Sequence, residues 1–147
     1  MENTSKKYEA IIFDLDGTLY NTANVDVLLR QLKQVKRMSS EYHQIWREID
    51  KSIDGYKDYD GIAEVLQFVR ENNVKAVLVT GAVKRRTNKL KRFNLPLMGI
   101  VSRFDVSHKK PHPAPMFRAL EILGVDASKV LSIGNQVIDL QASKGAG

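Results

Sequence analysis

The chain contains no cysteine, which removes disulfides, thiolate metal sites and cysteine nucleophiles from consideration. Any chemistry must run on oxygen, nitrogen or a metal. There is also no apolar run of about 18 residues or more, and residues 1–7 (MENTSKK) lack the hydrophobic region of a secretory signal. Neither membrane nor export is indicated, and the cytoplasm is the default expectation. Internal repeats and low-complexity tracts are missing as well, which excludes solenoids and fibrous architectures.

What is present is an ordinary globular mixture, 43% apolar and 27% charged over 147 residues. That length buries one core and accommodates a small insertion, but not two full domains. Lys and Arg number 23 against 17 Asp and Glu, a net charge of +6 that favours anionic partners without choosing between a small phosphate ester and a nucleic acid.

Tyr8-Glu9-Ala10-Ile11-Ile12-Phe13 is a short apolar run that ends abruptly in Asp14-Leu15-Asp16-Gly17-Thr18, the pattern of a buried strand delivering polar residues at its carboxyl end. Three further runs behave alike. Lys75-Ala76-Val77-Leu78-Val79 passes into Thr80-Gly81, Leu97-Met98-Gly99-Ile100-Val101 into Ser102, and Lys129-Val130-Leu131-Ser132-Ile133 into Gly134-Asn135. Between them lie helical stripes, Ile62, Val65, Leu66 and Val69, then Phe117, Leu120 and Leu123 closed by Gly124, with Pro113 and Pro115 suited to the first turn of the second helix. Strands alternating with helices predict an α/β fold with a doubly wound parallel sheet, in which ligands bind beyond the carboxyl ends of the strands. Asp14, Thr80 and Asn135 would gather there.

Residues 22–54 interrupt this rhythm with two stripes, Val25, Leu28, Leu29, Leu32, Val35 and then Tyr42, Ile45, Trp46, Ile49, Ile53. A helical hairpin is expected, serving either as a lid over the strand ends or as two ordinary core helices. The expected division is therefore a core of residues 1–21 and 55–147 with a small helical insertion at 22–54.

The two carboxylates of Asp14-Leu15-Asp16, on a turn containing Gly17, suit joint binding of a divalent cation and a phosphate. One would attack phosphorus; the other, protonated in a crowded negative environment, would give its proton to the leaving oxygen. Alone, an Asp-x-Asp pair is more often a structural turn.

Asp14-Leu15-Asp16-Gly17-Thr18-Leu19, at the end of a hydrophobic strand near the amino terminus, resembles the first signature of the haloacid dehalogenase-like hydrolases. The resemblance implies Asp14 as nucleophile and magnesium ligand, and Asp16 as general acid and base giving its backbone carbonyl to the metal. Because the dehalogenases proper lack the second Asp, it also implies phosphoryl chemistry. Thr80-Gly81 is similar to the second signature, and Lys110-Pro111-His112-Pro113 to the third, with Lys110 preferred over Lys109 because it directly precedes the proline. The fourth signature, Gly-Asp-x-x-x-Asp, corresponds to Gly134-Asn135-Gln136-Val137-Ile138-Asp139, with Asn where the family has a metal-site Asp.

On this resemblance the expected catalytic residues are Asp14, Asp16, Thr80 and Lys110. The substrate would be held by Leu15, Asp16, Thr80, Gly81 and Lys110, and Mg2+ by Asp14, Asp16, Asn135 and Asp139. The implied activity is magnesium-dependent hydrolysis of a small phosphorylated metabolite through an aspartyl-phosphate. Two alternatives stay open: a phosphomutase of the same family, and a catalytically impaired phosphate-binding or interaction module, since Asn removes a full charge from a hard-cation site. Tyr59-Asp60-Gly61 resembles the family's return from cap to core, and residues 22–54 resemble a reduced cap. A short cap favours larger phosphorylated substrates or a lid from another subunit, so a homo-oligomer is among the expected partners. Family members continue past the point matching Gly147 into a further strand and helix, which this sequence does not include.

Lys84, Arg85, Arg86, Lys89, Lys91 and Arg92 form a basic run without interleaved aromatics, read as a solvated helix face in preference to a nucleic-acid site. His108 and His112 are expected to be loop residues and not a zinc site.

Overall fold

The computed structural model describes residues 7–52, 57–81 and 94–147. The basic run from Lys84 to Arg92, and Ile53 at the end of the second hairpin stripe, lie outside the described residues.

Strands β1 (Ala10–Phe13), β4 (Lys75–Thr80), β5 (Leu97–Ser102) and β6 (Val130–Ile133) form a parallel sheet in the order β5-β4-β1-β6. Because side chains alternate across a strand, β1 serves two cores at once. Ile11 and Phe13 join Ala76 and Leu78 of β4 in one buried cluster, whereas Ala10 and Ile12 join Val77 and Val79 in the other. All four residues of β1 are buried, as expected for the inner strand of a sheet covered on both sides.

Helix α3 (Ile62–Glu71) covers the first face through Leu66 and Val69. Helices α4 (Ala114–Leu123) and α5 (Val137–Gly145) cover the second, α4 through Met116, Ala119 and Leu123 and α5 through Ala142. Pro113 is the N-cap of α4, and Gly124 closes the helix in the left-handed conformation (φ 59°). The structure corrects one detail of the expected stripes. Phe117 is 48% exposed and Val65 39% exposed. Residues spaced i, i+3, i+6 drift about 120° around a helix, so Phe117, Leu120 and Leu123 cannot share one face, while Met116, Ala119 and Leu123 can.

After β1 the chain turns back into β2 (Tyr20–Asn21), which pairs antiparallel with β3 (Lys57–Asp58). This ribbon carries the chain out to the hairpin and back again. The hairpin consists of α1 (Asp26–Leu32) and α2 (Ser40–Ser52), with Val25, Ile45 and Ile49 buried. Val25, Leu28 and Leu29 pack into the same cluster as Leu15, Leu19 and Tyr20, so the hairpin is seated on the loop that follows β1. Trp46 meets the Tyr42 ring edge-on at 6.3 Å, a packing role.

Leu123→Ala should cost about 2–5 kcal/mol, since it empties a fully buried site. Phe117→Ala should cost under about 1 kcal/mol, as surface changes do. Urea unfolding of the two variants checks the corrected face, and the reverse ranking would contradict it.

Candidate active site

Asp14 stands one residue beyond β1. Its amide donates to the Ile133 carbonyl at 2.9 Å, continuing the ladder by one bond, so the side chain emerges at the middle of the sheet's carboxyl edge. The turn that follows is tight. The Leu15 carbonyl accepts from the amides of Thr18, Leu19 and Tyr20 at 3.0–3.2 Å, and Gly17 has a positive φ of 81°. Leu15 and Leu19 are fully buried and anchor this turn in the core, which fixes Asp14 and Asp16 relative to the sheet.

Lys110 reaches this edge from the loop between β5 and α4. Its Nζ donates to Asp14 Oδ1 at 2.9 Å, to Asp139 Oδ1 at 2.5 Å and to the Val79 carbonyl at 3.3 Å. Its side chain is 9% exposed, with 12% for Asp14 and 7% for Asp139. Burial works against the Lys110 charge, but Asp14 and Asp139 outweigh it and hold the ammonium above the ordinary lysine range. Burial pushes the Asp14 carboxyl up, and Lys110 pulls it back without cancelling the rise. The neighbouring Lys109 is exposed.

Asp139 is shared between this pair and helix α5. Its Oδ2 accepts from the Gln136 amide at 3.0 Å, and the Gln136 side chain in turn caps the Asp139 amide, a reciprocal box at the helix start. Gly134 is required here, because a Cβ at that position would lie 2.6 Å from the Asp139 side chain. Asn135, next in sequence, rests on the Asp14 turn so closely that a Cβ at Gly17 would fall inside its carboxamide.

Thr80 ends β4, 4% exposed and in register with Ser102 of β5, and Gly81 follows it at the surface. Contacts therefore tie Asp14, Lys110, Asp139 and Asn135 into one constellation. Leu15 and Asp16 belong to it through the turn, and Thr80 and Gly81 by their place on the adjacent strand. Sequence reasoning missed two participants. The Val79 carbonyl leaves no side-chain signal, whereas Gln136 sits three residues before Asp139 in the spacing of a capping box and was readable. His108 and His112 stack with ring centroids 4.5 Å apart on the exposed loop around Lys110. Among the described residues no three His, Cys, Asp or Glu side chains form a metal-binding group.

Replacing Lys110 by Met would strand Asp14 against Asp139 and should cost about 3–5 kcal/mol at neutral pH, the scale for removing one partner of a buried pair. In acid the cost should shrink, because Asp14, its proton affinity already raised by burial, becomes neutral and no longer needs the ammonium. Denaturation at pH 5 and pH 8 checks this; equal costs at both would contradict it.

Comparison with known proteins follows the same lines. A family model described as haloacid dehalogenase-like hydrolase matches residues 23–147. The curated relatives include the pyrophosphatase PpaX of Bacillus cereus (strain AH820), 27% identical over an alignment of 174 residues that covers 96% of this chain and 81% of the relative. Among solved structures, a candidate phosphoglycolate phosphatase from Lactobacillus plantarum superposes with a TM-score of 0.77 at 21% identity, covering 95% of this chain and 83% of that one. A candidate β-phosphoglucomutase from Thermotoga maritima gives 0.76 at 24% identity, covering 94% and 81%. The parallel sheet with helices on both faces is the fold of these neighbours, and no described helix is long and apolar enough to cross a membrane. With the matched model covering most of its length, the chain belongs to the haloacid dehalogenase-like hydrolases.

Proposed function

We propose that this chain hydrolyses small phosphorylated substrates with Asp14 as the nucleophile, through an aspartyl-phosphate. The observation that carries the reading is the Lys110 ammonium 2.9 Å from Asp14 Oδ1 at the carboxyl edge of the sheet. A carboxylate that is held in place, partly dehydrated and beside a fixed cation is suited to attack an anionic phosphoryl group.

In this reading an Asp14 oxygen forms a bond to phosphorus while the bond from phosphorus to the leaving oxygen breaks. Asp16, in its acid form, gives that oxygen a proton, so the alcohol departs and Asp16 is left as the carboxylate base. Asp16 then takes a proton from water, whose oxygen attacks the same phosphorus, releasing inorganic phosphate and restoring the Asp14 carboxylate. In the resting site the Asp14 and Asp139 carboxylates hold the proton on Lys110, and the ammonium would offset negative charge on the transferring oxygens. Thr80 and Gly81, on the neighbouring strand end, together with the Leu15 and Asp16 backbone, would cradle those oxygens.

The residues present fit a magnesium ion. Asp14 and Asp139 lie within one ammonium's span of each other, and the Asn135 carboxamide rests on the turn that bears Asp16, so hard oxygen donors converge. Asp14, the Asp16 carbonyl and Asn135 would hold it. Asp139, with one oxygen on Lys110 and the other on the Gln136 amide, would act by fixing Lys110 and any bound water. When bound, the ion supplies Lewis-acid stabilisation of the phosphoryl oxygens.

Residues 22–54 are read as a reduced cap on a core of 1–21 and 55–147. The buried junction of Val25, Leu28 and Leu29 with the Asp14 loop supports this. The name of that relative makes inorganic pyrophosphate a substrate to test beside monoesters, and the mutase-like neighbour keeps phosphoryl transfer to an alcohol as the second reading.

Phosphate release from an aryl monoester and from pyrophosphate with magnesium present should fall at least about a thousandfold in Asp14→Asn, because the replacement cannot form the acyl phosphate. Unchanged release in that variant would overturn the assignment. Recovery of a transferred phosphoryl group on an added sugar alcohol, with little free phosphate, would favour the mutase.

A further inference from the structure

Two carboxylates grip the Lys110 ammonium in the resting site, but they are not equal partners through the reaction. On the hydrolase reading, Asp14 gives up its charge when one of its oxygens bonds to phosphorus. One of the two anchors then weakens just as negative charge gathers on the transferring oxygens. From that point the backbone that carries Lys110 has to hold it. The hydrogen bonds at the start of α4 are what fix that backbone.

The His112 amide donates to the Lys109 carbonyl at 3.0 Å, closing a turn around Lys110 and Pro111. Helix α4 begins directly after it, with Pro113 as N-cap. The first amides of a helix have no partner within it, and here they belong to Pro113, Ala114, Pro115 and Met116. The two prolines carry no N–H, and the Met116 amide donates to the Pro113 carbonyl at 2.9 Å. That leaves Ala114, whose amide donates to His112 Nδ1 at 3.1 Å. A backbone N–H can only donate, so Nδ1 must keep its lone pair, and the neutral ring holds its proton on Nε2. The same ring stacks on His108 with centroids 4.5 Å apart and planes 26° from parallel, and His108 Nδ1 lies 2.9 Å from the Ser107 hydroxyl. One side chain thus ties the Lys110 turn to α4 on one side and to the incoming loop on the other. Met116, Ala119 and Leu123 seat α4 on the sheet, so the tie reaches the core.

Building on the hydrolase reading, we propose that His112 is a positioning residue for Lys110, and that it works only as the neutral imidazole. Protonation fills the Nδ1 lone pair, so the Ala114 amide loses its acceptor and two donors face each other. The charged and titratable groups on the elements around the ring are His108, stacked on it, Lys109 on the same turn, and Arg118 with Glu121 farther along α4. Lys144 is on α5, a helix that reaches Pro113 through Gly145. Acid therefore loosens the turn by a route separate from the carboxylates.

The test compares His112→Asn, which keeps a short acceptor that does not titrate, with His112→Phe, which keeps a ring to stack on His108 but offers no acceptor. Thermal unfolding checks that each variant is folded. With an aryl monoester and magnesium, kcat should fall about tenfold or more in His112→Phe and stay within about threefold of wild type in His112→Asn, while KM moves little in either. The ratio of the Asn variant to wild type, in which titration of the substrate and of the carboxylates cancels, should rise as pH falls from about 8 to about 5. A second readout needs no turnover. In Asp14→Asn, which leaves Lys110 a single carboxylate, the Lys110 ammonium signal in the nitrogen NMR spectrum should persist, and it should broaden beyond detection once His112→Phe is added. Wild-type kcat in His112→Phe, an Asn variant no better than the Phe variant, or a ratio that is flat with pH would overturn the proposal. If the chain hydrolyses no ester, the ammonium signal decides: its survival in the double variant would overturn the positioning role, and its loss would keep that role while removing the hydrolase.

Discussion

A single buried ammonium organises this molecule. Lys110 draws the end of β1, the end of β4 and the first turn of α5 to one point, through Asp14, the Val79 carbonyl and Asp139. A lysine this far from water is tolerable only with compensating charge, and two carboxylates supply it. The same requirement fixes the geometry of the site. Asp139 can face Lys110 only because Gly134 lacks a side chain, and its other oxygen caps α5, so the helix and the ion pair hold one another in place.

The sheet makes this convergence achievable. Strand β1 is buried on both faces and lies between β4 and β6, so the residue after it must emerge at the centre of the carboxyl edge. The Asp14 turn is anchored from beneath by Leu15 and Leu19, and the hairpin packs onto that anchor through Val25, Leu28 and Leu29. Stability and chemistry thus share components. The apolar side chains that hold the turn also seat the hairpin, and the charged ones that position Asp14 also pin α5.

The strand ends were legible in the sequence because each apolar run stops abruptly in small or polar residues. The four expected strands are present, with bounds within about two residues of those expected. The hairpin was legible from its two stripes, although periodicity alone could not say what it packs against. The face of α4 was misread because Phe117 is large and apolar, while the buried position belongs to Ala119, whose small side chain lets the helix approach the sheet. At the site, the sequence indicated which residues belong together but not how they share charge. That Lys110 takes one oxygen of Asp139, and that Asn135 lies on Gly17 more than 100 residues before it, are facts of packing between separate segments, and no local pattern encodes them.

In the proposed hydrolysis Asp14 is the covalent phosphoryl carrier, held ready by Lys110 and the turn. Rapid acid quench during turnover with a phosphate ester, followed by proteolysis and mass spectrometry, tests it most directly. A phosphoryl group is expected on the peptide containing Asp14, located to that residue and removed by hydroxylamine as an acyl phosphate is. Turnover with no modified peptide at any quench time, or with the phosphoryl group on another residue, would contradict it.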